Sequence, residues 1–175
     1  MNTPNKLTLL RVVLIPVFMF FSLTSAVPFS NIIALFVFVL AFFTDMLDGY
    51  LARKNNQVTN FGKIMDPLAD KLLVTAAMLC MLSVDVISPW AVIIILAREF
   101  IISGIRIAAA SEGQVIAASK WGKIKTVWQF IAFSVGILVW KSNILVDIVI
   151  WIAVALTIIS GVDYMVKNAK HLSMK

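Results

Sequence analysis

Apolar residues run along this chain in six long blocks, at roughly 8–26, 31–53, 60–84, 87–110, 121–141 and 144–166. Polar breaks separate most of them: Ser-Ala-Val-Pro-Phe-Ser-Asn at 25–31, Lys-Asn-Asn-Gln at 54–57, Ser-Val-Asp at 83–85, Ser-Glu-Gly-Gln at 111–114 and Lys-Ser-Asn at 141–143. A helix needs about 20 mostly apolar residues to cross a bilayer core, and each block is of that order. The pattern therefore predicts an all-α, polytopic membrane protein of six transmembrane helices, with residues 1–175 forming a single membrane domain. Six spans consume most of the chain, so any chemistry has to be built from the helices and their short loops. The first block follows Lys6 and resembles a signal peptide, but its length and the five spans after it predict a retained helix. Pro16, inside that block, is expected to kink it.

Composition agrees with lipid as a solvent. Of 175 residues, 61% are hydrophobic and 14% charged, against about half and about a quarter in a soluble domain. The net charge of +6 could suggest nucleic acid, but its distribution argues against that partner. If the N-terminus is cytoplasmic, an even number of spans returns the C-terminus to the same side. Lys6, Arg11, Arg53, Lys54, Lys63, Lys71, Arg98, Arg106, Lys120, Lys123, Lys125, Lys167, Lys170 and Lys175 then lie on or towards the cytoplasmic side, and only Lys141 falls outside. This is positive-inside asymmetry, and it sets the expected orientation. Cys80 is the sole cysteine, which precludes an internal disulfide and reads as a packing residue.

Charged groups within membrane helices are costly, so each is a functional candidate. The second block carries Asp45, Asp48 and Arg53. The third carries Lys63, Asp66, Asp70 and Lys71, and the fourth carries Arg98, Glu99 and Arg106. Asp45, Asp48, Gly49, Ala52 and Arg53 fall on one helical face, and Gly62, Asp66 and Asp70 step by four along another. The short connection makes these helices antiparallel neighbours, so the two acidic stripes are expected to converge. Asp45 lies about 12 Å before Arg53 and Asp70 about 15 Å after Asn60 at a helical rise of ~1.5 Å per residue. Both depths are short of the bilayer centre. Four clustered carboxylates raise one another's pKa unless cations compensate. All-oxygen ligands favour hard divalent ions, Mg2+ or Mn2+ ahead of Zn2+. Gly49 and Gly62 leave room for a bulky nucleotide or a close helix approach.

Asp45-Met-Leu-Asp48-Gly49-Tyr-Leu-Ala52-Arg53, followed after eight residues by Gly62-Lys-Ile-Met-Asp66-Pro-Leu-Ala-Asp70, resembles the signature of the CDP-alcohol phosphatidyltransferases. All eight fixed positions are present, and the six-span plan resembles the family over nearly the whole chain. The resemblance implies that Asp45, Asp48 and Asp66 hold the metals. It also implies that Asp70 contacts metal and acts as general base, and that Asp48, Gly49, Ala52, Arg53, Gly62 and Asp66 line the CDP-lipid. An acceptor hydroxyl would attack the lipid-side phosphorus and CMP would leave, without a protein nucleophile. The only histidine, His171, lies in the tail and is expected to be solvent-exposed.

The acceptor is less directly written. Ser119-Lys120-Trp121-Gly122-Lys123-Ile124-Lys125-Thr126 clusters three cations at a helix start, a site suited to an anionic acceptor, and Arg106 approaches the same side. Those cations could equally snorkel to lipid headgroups. Pro4–Arg11 reads as a short amphipathic segment running into the first helix, with Asn5 and Thr8 as contact candidates. With Ala97-Arg98-Glu99-Phe100 and Gly122–Thr126, it resembles the bacterial glycerol-phosphate branch of the family. That branch implies CDP-diacylglycerol and sn-glycerol 3-phosphate as substrates, a plasma-membrane location among lipids with the site facing the cytoplasm, and a homodimer, for which Ala108–Ser111 offers a small-residue face. Serine, inositol phosphate or phosphatidylglycerol are the alternative acceptors. A small cation transporter using the aspartates is the alternative of another class, but the apolar outer halves of the blocks offer it no pathway. Arg98 and Glu99 are expected either to satisfy each other or to bridge helices, and Asp163 and Lys167 to pair along one helix. Asp85 and Asp147 are expected near the outer surface.

Overall fold

The structure is a computed structural model that describes the backbone of residues 3–54, 60–111, 113 and 119–168 and the side chains of 6–44, 65, 68–110, 113 and 119–168. Among the described residues there are six helices and no strand: α1 (Thr3–Leu23), α2 (Ser30–Lys54), α3 (Asn60–Ser83), α4 (Pro89–Ser111), α5 (Lys120–Val139) and α6 (Ile144–Lys167). Each apolar block became one helix, and the polar breaks became the connections. Among the described residues, three stretches are long and apolar enough to cross a membrane: Lys6–Leu23, Lys120–Val139 and Ile144–Lys167. α1 runs without interruption from Thr3 through Pro16, so the amphipathic start is continuous with the apolar helix that follows it.

The chain divides into two compact units, Met1–Val84 with Ser134–Lys141, and Asp85–Phe133 with Ser142–Lys175. In the first, α1 packs against both α2 and α3, and α2 against α3. Helical periodicity fixes the buried faces. α1 turns Thr8, Arg11, Ile15, Phe18 and Ser22 inward, α2 turns Ala34, Val37, Phe38 and Ala41, and α3 turns Ala69, Leu73, Ala76, Ala77 and Cys80. The alanines let the helices approach closely, as expected where surrounding lipid gives apolar side chains little reason to cluster. Phe18 and Phe38 fill the gap between α1 and α2, their ring centroids 5.8 Å apart. The opposite faces expose Val13, Phe20, Phe36, Phe43, Leu72 and Leu79, an apolar exterior suited to lipid. The Asn31 side-chain amide donates to the Leu138 carbonyl at 2.9 Å, tying the start of α2 to the 134–141 segment.

In the second unit α4 packs on α6. The buried stripe of α6 runs Val146, Ile150, Ala153, Val154, Thr157, Ser160, Gly161 and Tyr164. Its hydroxyls are satisfied locally, Thr157 donating to the Ala153 carbonyl and Ser160 to that of Thr157. Asn143 caps the helix start by accepting from the Val146 amide. The Trp128 indole N–H donates to the Val149 carbonyl at 3.2 Å, joining α5 to α6.

Candidate functional site

The acidic motif falls on two consecutive helices that pack together. Asp45, Asp48, Gly49, Ala52 and Arg53 occupy the last turns of α2, which ends at Lys54, and Gly62, Asp66 and Asp70 occupy the first turns of α3, which begins at Asn60. Both acidic segments therefore stand at the ends joined by the short connection, and helical backbone gives each the periodicity that places its acids on one face. The side chains of Asp45, Asp48, Gly49, Ala52, Arg53, Gly62 and Asp66 lie outside the described residues, as does that of Asn5. Asp70 is described and half-buried. Among the described residues no three His, Cys, Asp or Glu side chains cluster as metal ligands, and three of the four aspartates are not among those residues.

α1 adds polar groups to the same unit. Thr8 is buried, and Arg11, one turn on, has no exposed surface at all. In the sequence Thr8 is a contact candidate, whereas Arg11 figures as a basic residue and as the end of the Pro4–Arg11 segment rather than as a buried one. The available signal was its register, since Thr8, Arg11, Ile15 and Phe18 keep the spacing of a single helical face. A cation buried in this way is held by partners rather than by water, and Thr8, Arg11 and Asp70 are all engaged with other groups.

The basic candidates lie in the second unit, and the structure sorts them. Lys120 and Lys123 are exposed on the first turn of α5. Ser119 caps that turn by accepting from the Gly122 amide at 3.1 Å. Lys125 instead points inward, 4% exposed, and donates to Glu99 of α4. Glu99 also receives Arg98 Nη1 at 3.4 Å, so the neighbouring pair and the helix bridge both form. Arg98 threads between two glycines: a Cβ at Gly122 would stand 3.8 Å from its Nη2, and one at Gly161 only 3.1 Å from its Cγ. Arg106 is exposed, yet its Nε donates to the hydroxyl of buried Tyr164 at 3.3 Å. Glu99 and Tyr164 were not picked out as site residues, because nothing in a linear pattern reveals which helices their side chains bridge.

The remaining expectations fall simply. Asp163 accepts from Lys167 at 2.6 Å, Asp85, Lys141 and Asp147 are exposed, and Cys80 is a free, buried thiol. Ala108 and Ala110 are exposed while Ala109 is buried. His171 lies outside the described residues.

An acidic motif on paired helix ends, in an all-helical chain with membrane-length apolar segments, defines a class. Residues 1–159 match the family model described as CDP-alcohol phosphatidyltransferase, and the chain belongs to that family. The family is one of membrane-associated transferases. Among individual relatives, the chain is 43% identical to the CDP-diacylglycerol–glycerol-3-phosphate 3-phosphatidyltransferase of Bacillus subtilis (strain 168), over 98% of this chain and 97% of that one. It is 42% identical to the protein of the same name from Rickettsia bellii, with 93% of each chain covered. A third of that name, from Haemophilus influenzae, is 41% identical over 94% of this chain and 91% of its own.

Proposed function

We propose that this protein transfers the phosphatidyl group of CDP-diacylglycerol to sn-glycerol 3-phosphate, giving phosphatidylglycerophosphate and CMP in phospholipid synthesis. The observation that carries the reading is the complete eight-residue motif on the joined ends of α2 and α3, in a chain matched almost end to end by relatives named for that reaction. The proposed setting is a bacterial-type plasma membrane crossed six times by a single domain. Both termini and the site face the cytoplasm, and the protein works as a homodimer.

In this reading Asp45, Asp48, Asp66 and Asp70 hold two divalent ions, for which an all-carboxylate donor set suits Mg2+ or Mn2+. When bound, such ions neutralise the diphosphate and ease departure of CMP. The residues of the chain do the rest. Gly49, Ala52 and Gly62 give the nucleotide a surface without bulky side chains, and Arg53 pairs with its phosphate. The Asp70 carboxylate takes the proton from the acceptor hydroxyl as that oxygen bonds to the lipid-side phosphorus. The bond from that phosphorus to the CMP oxygen breaks, and CMP leaves with the electron pair. Arg106, Lys120, Lys123 and Lys125 hold the acceptor's phosphate. Asn5 and Thr8 add contacts from α1.

The test is release of CMP from CDP-diacylglycerol by the purified, detergent-solubilised chain, offered glycerol 3-phosphate, serine, inositol phosphate or phosphatidylglycerol. Release is expected with glycerol 3-phosphate alone. Release with serine alone would assign another acceptor, and no release with any of the four would remove the transferase reading.

A further inference from the structure

We infer that Tyr164 is a positioning residue for the acceptor's phosphate: it fixes the guanidinium of Arg106 so that its terminal edge is presented to a phosphate monoester. The inference rests on the proposed role of Arg106 and adds to it a residue of α6. Tyr164 is 2% exposed, and a buried phenol needs a partner for its hydroxyl. That partner is Arg106 Nε at 3.3 Å. The guanidinium carbon stands 5.6 Å from the ring centroid, so the cation rests against the aromatic ring as well as its hydroxyl.

The Tyr164 backbone is itself held. Its carbonyl accepts from both the amide and the side chain of Asn168, at 3.1 and 2.8 Å, where α6 ends. A long exposed arginine would otherwise sample many rotamers, and a ligand would have to order it. With Nε occupied by the phenol, the two terminal nitrogens form the remaining edge of a planar donor group, and that edge matches two oxygens of one phosphate. Among the described residues, neither terminal nitrogen has a recorded hydrogen bond or ion pair. An uncharged alcohol offers this edge no anion, whereas glycerol 3-phosphate does.

The experiment is steady-state kinetics of the full chain with each substrate varied in turn, for Tyr164→Phe, Arg106→Ala and the double variant. Tyr164→Phe keeps the ring and removes only the hydroxyl. It is expected to raise KM for glycerol 3-phosphate about tenfold, the low end of the scale for one hydrogen bond to a charged group, with kcat and KM for CDP-diacylglycerol within about twofold. On the Arg106→Ala background it is expected to add nothing. If Arg106→Ala raises that KM and Tyr164→Phe does not, the positioning role is overturned while the acceptor site stands. If Tyr164→Phe lowers kcat, or raises both KM values together with a fall in thermal stability, the residue is merely structural and the inference is overturned. If Arg106→Ala leaves the acceptor KM unchanged, the reading of Arg106 fails and the inference falls with it.

Discussion

Lys125 of α5 and Glu99 of α4 are joined by an ion pair in which the lysine side chain is 6% and the glutamate side chain 20% exposed. Arg98 shares the same carboxylate. One acid thus serves two cations, and removing it takes that carboxylate from both in a poorly solvated place. Breaking a buried pair from one side is far more damaging than replacing both partners. Glu99→Gln is therefore expected to lower stability by about 2 kcal/mol or more, and Lys125→Met combined with Glu99→Gln to recover part of the loss. Thermal unfolding of the detergent-solubilised variants checks this. Equal melting temperatures for Glu99→Gln and the unaltered chain would show that the bridge contributes nothing.

The aspartates of α2 and α3 allow a separation of roles. Asp45→Asn, Asp48→Asn and Asp66→Asn are each expected to weaken metal binding. Added Mg2+ or Mn2+ should then raise the melting temperature of the unaltered chain but not of these variants, because a ligand stabilises only a fold that binds it. Chelation is expected to stop CMP release and added Mg2+ to restore it. Asp70→Asn is expected to cut turnover by about 10²–10⁴-fold, the usual contribution of a general base. Full turnover by Asp70→Asn would move the proton acceptor elsewhere.

Much of this architecture was legible in the chain because lipid imposes a simple rule. An apolar block in lipid has to satisfy its own backbone groups, and a helix is how one segment does so. The blocks accordingly foretold α1 to α6 to within a few residues, apart from the start of α1, which reaches back to Thr3. The eight motif residues, fixed in spacing, could be located before any fold was known. Pairing between helices was not legible. Whether Lys125 snorkels outward like Lys120 or turns inward to Glu99 depends on the rotation of α5 against α4. Composition does not determine that rotation. The burial of Arg11 was hidden for a related reason: near a helix end a basic residue reads as an orientation signal, and its place on the buried face shows only once its register with Ile15 and Phe18 is weighed. Tyr164 looked like one more aromatic residue until its hydroxyl was seen against Arg106.

α6 begins with a cap that can be tested in isolation. Asn143 accepts from the Val146 amide at 2.9 Å, and Asp147 stands in the first turn, where a negative charge suits the helix dipole. Asn143→Ala is expected to cost about 1 kcal/mol of stability and Asn143→Asp or Asn143→Ser much less. A melting series of the three variants gives the answer. Identical values for Ala and Ser would show that the end of α6 is satisfied by other groups.

Gly122 and Gly161 both border Arg98, but the space beside them differs. At Gly122 a methyl group would meet Ser119 Oγ at 3.5 Å and Arg98 Nη2 at 3.8 Å, ordinary contacts, while at Gly161 it would meet Arg98 Cγ at 3.1 Å. Cγ sits near the root of the side chain, and Arg98 Nη1 is held against Glu99, so the arginine has little freedom to withdraw. Alanine gains up to about 1 kcal/mol over glycine in a helix interior. Gly122→Ala is therefore expected to be neutral or slightly stabilising. In Gly161→Ala the crowding offsets that gain, and Gly161→Val is expected to be destabilising by about 1–3 kcal/mol through overpacking. A combined Gly161→Val and Arg98→Ala variant, which removes the crowded atom, should recover part of the loss. If it recovers none, the glycine is required for some reason other than the passage of Arg98.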